Sequence, residues 1–343
     1  MLSAWLGCTV TAIAQPPEWG QTVLRIELKT DAQLNLNQFK TQIVQQTGEP
    51  LDAGKVDASL KNLYATGRFA SLRVDAQPEA GGVVLTFAGK ARYYIGSVQV
   101  TGTPKPLDAS TLVASARLPL GRPLYQDELA AALQDILAVL YDNAFYQAKV
   151  QNSVARNPAT QEANILVTIT PGPQAHLQAV IFHGHPAYSP DRLRTVTGWH
   201  PGNQLTSADI EKGLYKIHNF YLQRGYIQAS ATVQKRVFDP KTNTENLAVL
   251  CEAGPVIEVH VRGADISRRK LRDILPLYQD GVIDQPSLER GNEALTDFYQ
   301  QTGYLRAHVT VDPVEHVTAD NMRVIYRVDR GPIGRFEGYE FAG

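Results

Sequence analysis

At 343 residues the chain has the length of roughly two ordinary domains, and its composition (43% hydrophobic, 20% charged, 8% aromatic) is that of a globular protein, which excludes intrinsic disorder and collagen-like or low-complexity classes. Lys plus Arg is 33 and Asp plus Glu is 34, so the net charge of -1 argues against nucleic acid as a partner and gives no strong field toward an anionic membrane. Two cysteines, Cys8 and Cys251, exclude a disulfide or Cys-rich metal scaffold, and no apolar run reaches the ~18–20 residues of a transmembrane helix.

At the N-terminus, Met1 to Ala14 is apolar and uncharged, and Ala12-Ile13-Ala14 offers small residues where a signal peptidase reads. Residues 1–20 therefore read as a signal-like leader cleaved before Gln15. The usual Lys/Arg region is missing, which leaves open a start further upstream or an ordinary buried N-terminal segment. Leu6-Gly7-Cys8 has only a faint likeness to a lipoprotein site, with Trp5 where a small aliphatic residue is expected. Val23, Ile26 and Leu28 then open a strand, and Val56, Leu60 and Leu63 mark a helix face. Leu129, Leu133, Ile136 and Leu140 mark another.

The clearest stretch begins at Leu177, Val180 and Phe182, a strand closed by Gly184, with His183 and His185 flanking that glycine in a loop. Ser189-Pro190 starts a helix whose buried stripe is Leu193 and Val196. Thr206 with Asp209 opens a second as a variant capping box, and Ile210, Leu214, Ile217 and Tyr221 share its inner face up to Gly225. Tyr226 to Val237 and Leu247 to Cys251 read as strands joined through Asp239-Pro240, which buries the Cys251 thiol. Leu288, Leu295 and Tyr299 repeat the helix face.

Four markers recur in one register. A strand-like run ends in Gly at 102, 184, 263 and 343, at spacings of 82, 79 and 80 residues. A helix end carries Tyr at 64, 141, 221 and 299, followed by a turn and an aromatic residue (Phe69, Phe145, Tyr226, Tyr304). A mid-repeat Gly stands at 48, 121, 202 and 281, and Gly-Pro closes three repeats at 172–173, 254–255 and 331–332. A period this long exceeds the roughly 20–50 residues of solenoid repeats, so each unit is a small domain with its own core. Each reads β-α-α-β-β: two amphipathic helices over one face of a three-stranded sheet, a two-layer α+β sandwich.

This unit, with a helix-end Tyr before Gly-x-Phe/Tyr and a Gly-closed first strand, resembles the POTRA domain. The tandem array resembles the periplasmic arm of BamA/TamA-type outer-membrane protein assembly factors. The expected organisation is POTRA-like units at 21–92, 93–174, 175–254 and 255–332, with 333–343 as the first strand of a truncated fifth. Asn143-Ala144 departs from the pattern where a Gly is expected. The resemblance implies an exported protein at the periplasmic face of the outer membrane, with a fifth domain and a membrane barrel following. It also implies unfolded outer-membrane protein clients and accessory assembly subunits as partners.

The sequence offers no catalytic constellation, cofactor loop or metal shell. His183-Gly184-His185 lacks a third ligand nearby, and no Gly-x-Gly-x-x-Gly, Gly-x-Ser-x-Gly or His-Glu-x-x-His occurs. Asp127-Glu128 suits a helix start, and Arg268-Arg269-Lys270 reads as a solvated helix face, with lipid-headgroup contact as the alternative. Binding is expected by β-augmentation, because a three-stranded sheet leaves edge N–H and C=O groups unpaired. The candidate edge is Ile227 to Val237, where polar Gln228, Ser230, Thr232 and Gln234 form the outer face and no Pro intervenes before Pro240. Competing readings are the arm of a TamA-like or two-partner-secretion pore, delivering few substrates, and a structural periplasmic spacer.

Overall fold

The computed structural model describes residues 18–334, and among them the chain forms four small sheets in succession. Residues 1–17, most of the expected leader, and 335–343, most of the expected first strand of a fifth unit, lie outside the described residues. The described residues divide into two compact units, one of residues 18–139 with 148–171, the other of residues 140–147 with 172–334.

In the first unit, β1 (Val23–Thr30) leads through a 3-10 helix (Leu36–Phe39) to α1 (Ala53–Ala65), β2 (Phe69–Glu79) and β3 (Gly82–Ala91). The second sheet follows with β4 (Tyr94–Thr101), α2 (Ala109–Ser115), α3 (Gln126–Asp142), β5 (Lys149–Asn157) and β6 (Glu162–Thr170). The second unit holds β7 (His176–His185), α4 (Pro190–Thr197), α5 (Ser207–Leu222), β8 (Ser230–Asp239) and β9 (Thr244–Glu252). Its other sheet belongs to β10 (Val256–Arg262), α6 (Arg268–Ile274), α7 (Leu277–Asp280), α8 (Gln285–Gln301), β11 (His308–Val311), β12 (Glu315–Thr318) and β13 (Asn321–Asp329).

The strand orders are β1-β3-β2, β4-β6-β5 and β7-β9-β8, and in the fourth sheet β10-β13-β11 with β12 also on β13. The last strand of each repeat is thus central, parallel to the first and antiparallel to the second. This is an α+β array, as the periodicity requires. Two repeats depart from the expected β-α-α-β-β pattern. In the first repeat no first α-helix forms: the 3-10 turn buries Phe39, and the polar stretch beyond it is held by side chains instead. Gln45 donates to the Pro50 carbonyl at 3.1 Å and accepts from the Asp52 N–H at 2.9 Å. In the fourth repeat the second strand is split into β11 and β12, with Pro313, which lacks an N–H, falling between them.

The capping signals hold. Ser189 caps α4, with Pro190 as its first residue, and Thr206 and Asp209 form a complete capping box on α5. Helix α5 stops at Leu222, short of Gly225, which takes φ +88 in the turn beyond. Ala144 adopts φ 62 where the other repeats carry Gly67, Gly225 and Gly303, so a left-handed turn replaces the missing glycine at a cost of about 1–2 kcal/mol.

The buried stripes differ in one respect from those expected. Leu133 and Leu214 are only half-buried, and the innermost positions are a small residue followed four places on by a large aliphatic one. The pairs are Ser59 and Leu63, Ala132 and Ile136, Gly213 and Ile217, and Gly291 and Leu295. The small residue admits a neighbour. A Cβ on Gly213 would lie 2.2 Å from the Trp199 ring, and one on Gly291 would lie 2.3 Å from the Tyr326 hydroxyl. Ile217→Ala, at 1% exposure, is expected to destabilise its repeat by about 2–5 kcal/mol, and Leu133→Ala to cost less, as read from urea unfolding.

Cys251 is buried in β9 within the core of the third sheet, and burial pushes its thiol up to about 11 from an ordinary 9.0. A group whose folded pKa is raised stabilises fully below its unfolded value and less as pH climbs toward the folded one. The third repeat is therefore expected to lose stability between pH 9 and about 11, and a Cys251→Ala variant to lack that component of the decline in urea titrations.

Candidate functional site: the open edge of the third sheet

Because β9 is central, β8 is an edge, and among the described residues no strand pairs with its outer side. The strand begins at Ser230 rather than at Tyr226. Gln228 lies in a turn before it, and Ile227 is buried in the fourth repeat's core beside Leu271 and Leu295. That apolar side chain is claimed by the next repeat, so the pairable edge is shorter than expected. Ser230, Thr232 and Gln234 are exposed, while Ala231 and Val233 pack inward against the third core.

Two features of the edge were invisible in the alternation. The register shifts between Val233 and Lys235, so Gln234 is bulged out of the ladder and the inward set changes to Arg236 and Phe238. The second is the direction of the backbone groups. Ala253 N–H donates to the His185 carbonyl, on the β7 side of β9. By alternation Cys251 and Val249 also face β7, and Glu252 and Leu250 face β8. Ser230 and Thr232 stand opposite Glu252 and Leu250, so their N–H groups belong to the ladder, and those of Ala231 and Val233 turn outward.

The far half of β8 is occupied. Arg236 donates to Glu245 at 2.6 Å and to the Leu205 carbonyl at 2.7 Å, and the Tyr146 hydroxyl donates to Glu245 at 2.9 Å. Phe238 packs on the Tyr146 ring with centroids 4.7 Å apart, and Gln147 donates to the Pro240 carbonyl and the Asn243 side chain. Burial, with Glu245 adding to it, drives the Tyr146 hydroxyl far above its ordinary value. Burial works against the Arg236 cation, but Glu245 outweighs it and raises its pKa. Ser230 to Lys235 lies outside these contacts.

The histidines lie within β7, not in a loop, and each has its own partner: His183 meets Gln234 across the exposed sheet face at 2.8 Å, and His185 meets Glu252 at 3.0 Å. Among the described residues no group of three or more His, Cys, Asp or Glu is placed to hold a metal ion. Asp127 and Glu128 occupy the first turn of α3, and Arg268 to Lys270 open α6. Among the described residues no helix is long and apolar enough to cross a membrane, which says nothing of a β-barrel.

With this architecture in view, comparison with known proteins gives the class. The family described as surface antigen variable number repeat, POTRA, matches residues 93–172, 175–250 and 255–331, well over half of the chain. The chain belongs to the POTRA family. An outer membrane protein assembly factor BamA of Nitratidesulfovibrio vulgaris is 18% identical over 309 residues, which are 84% of this chain and 38% of that protein. A putative outer membrane protein assembly factor of Treponema pallidum is 25% identical over 248 residues, 67% of this chain and 29% of that protein. The chain thus spans well under half the length of both. Among solved structures, POTRA3-5 of Haemophilus influenzae BamA is similar at 19% identity with a TM-score of 0.33, covering 69% of this chain and 96% of that one.

Arg236→Met would leave the fully buried Glu245 carboxylate with the Tyr146 hydroxyl as its remaining side-chain donor. The expected cost is about 3–5 kcal/mol, against about 1 kcal/mol for Tyr146→Phe, both measured by chemical denaturation.

Proposed function

We propose that this chain is the periplasmic arm of an outer-membrane protein assembly factor, located at the periplasmic face of the outer membrane and continued by a membrane barrel. Its POTRA-like units at 21–92, 93–174, 175–254 and 255–332 act as binding modules, not as an enzyme. The edge of β8 receives extended segments of unfolded outer-membrane protein clients by strand addition, and accessory subunits dock in the same manner. The observation that carries this reading is the unpaired stretch Ser230–Lys235, with the N–H groups of Ala231 and Val233 turned outward and polar Ser230, Thr232 and Gln234 on its exposed face. Main-chain pairing is nearly blind to sequence, which suits a receptor for many clients. The names of the two assembly-factor relatives support the class of client.

The direction of the N–H groups selects the variants. Pro at Thr232 would remove a ladder bond and cost about 0.5–1.5 kcal/mol, whereas Pro at Ala231 would remove only an outward, unused N–H. Ala231→Pro is expected to keep the fold, by circular dichroism, and to lose binding of a fluorescent peptide copied from a transmembrane β-strand. Unchanged binding by a folded Ala231→Pro protein would show the edge to be the wrong one. Absence of peptide binding to the parent chain would favour the spacer.

A further inference from the structure

The first strand of every repeat is also an edge, and three of the four are blunted in the same way. In β1, β4 and β7 the register shifts within the first residues of the strand, at Val23/Arg25, Ile95/Ser97 and Leu177/Ala179. The residue before each shift is paired on its outer side with the repeat's own mid-repeat turn. Val23 donates to Glu49 and accepts from Gly48, Ile95 donates to Arg122 and accepts from Gly121, and Leu177 donates to Asn203 and accepts from Gly202. A bulge and a covering turn are the usual means of making a sheet edge unpairable.

The fourth repeat has neither device. β10 pairs with β13 without a shift from Val256 to Arg262, and Gly281 bonds to Leu277 within its own turn. Val256 N–H donates to Asp320 on the β13 side, and Ile257 N–H donates outward to Gly225. By alternation, the N–H and C=O groups of Val259 and Val261 also face outward, where among the described residues no strand meets them.

Beside this edge lies a hollow of about 500 Å3 with an apolar floor of Leu222, Val259 and Leu271 and a basic rim of Arg224, Arg268 and Arg272. Arg268 and Arg272 stand one turn apart on α6, and their positive charge opposes the rise that burial imposes on the Tyr278 hydroxyl. Among the described residues none of these three arginines is paired with a carboxylate. Glu258, the carboxylate at the hollow, is already engaged by His260 and Arg323.

We propose that the β10 edge is a second, separate docking site, taking an extended acidic segment of a partner protein that adds as a strand beside Val259 and Val261 while its carboxylates meet Arg268 and Arg272. The unpaired backbone calls for a main-chain partner and the unpaired cations for negative charge; an extended acidic polypeptide supplies both. The site is independent of the β8 edge, so either can fail without the other.

The test uses the full chain and two fluorescent ten-residue peptides, one alternating Val with Asp and one alternating Val with Lys. The Val-Asp peptide is expected to bind, to slow amide exchange at Val259 and Val261, and to weaken with added salt. Arg268→Glu with Arg272→Glu is expected to reduce its affinity about tenfold or more. Val261→Pro, which spends no ladder bond, is expected to abolish binding in a protein that remains folded, while Ala231→Pro leaves it intact. Equal binding of the Val-Lys peptide, or unchanged exchange at Val259 and Val261 in the parent chain, would overturn the proposal. So would binding to phosphatidylglycerol vesicles without binding to the Val-Asp peptide, which would mark the arginines as a lipid contact.

Discussion

The constraint on which each repeat depends is the parallel pairing of its first strand with its last. A parallel pair cannot be joined by a short turn, so the chain between must cross over, and here it does so through the helices that cover one face of the sheet. The pairing closes tightly. At Gly102, Gly184 and Gly263 the backbone turns with positive φ directly against the central strand, and a Cβ would lie 2.1 Å from the Ile169 carbonyl at the first of these and 2.1 Å from the Val328 carbonyl at the third. At Gly184 the clash would be with Glu252 and the Cys251 carbonyl at 2.6 and 2.7 Å. No other residue fits both the conformation and the space.

That close approach explains how much of the fold was legible in the sequence. Glycine fills the positive-φ positions of the strand closures and mid-repeat turns in repeat after repeat, so those positions stand out at a fixed period, while at the helix-end turn Ala144 breaks the series. Capping is legible for the same local reason: Ser189 and the Thr206–Asp209 box act within three residues of themselves. What stayed hidden is non-local. Ile227 continues the alternation of a strand, yet it is buried in the next repeat's core, and only the packing shows which core claims it. The bulge at Gln234 leaves no mark in a polar–apolar pattern that runs on through it, and the inward direction of the Thr232 N–H depends on the register against Leu250. The Arg236–Glu245–Tyr146 cluster joins residues 99 apart in sequence at its widest, beyond the reach of any spacing rule.

With the last strand held at the centre, among the described residues every other strand of each sheet lies at an edge. The structure meets this in different ways. β1, β4 and β7 combine a bulge with a covering turn. The fourth sheet breaks its second strand in two at Pro313, so neither β11 nor β12 presents a long template. On β8 the side chains of the far half are engaged through Arg236 and Phe238, and the segment before the bulge lies outside those contacts. β10, seven residues long and free of bulges, has one outward N–H occupied by Gly225, and among the described residues no strand pairs with the rest of its outer side.

An open edge is indifferent to the sequence that adds to it, because what it offers is backbone. Discrimination must come from what the added strand's side chains meet, and on the β8 and β10 edges the outward-facing backbone belongs to residues whose own side chains turn toward the helices: Ala231 and Val233 on β8, Val259 and Val261 on β10. The helix alongside is therefore what distinguishes one edge from another. α5 carries both signs in Asp209, Glu211, Lys212 and Lys216, whereas α6 carries Arg268, Arg269, Lys270 and Arg272 against Asp273 alone. A promiscuous edge and a charge-selective edge can thus be built from the same strand geometry, with the difference written only in the helix surface beside each.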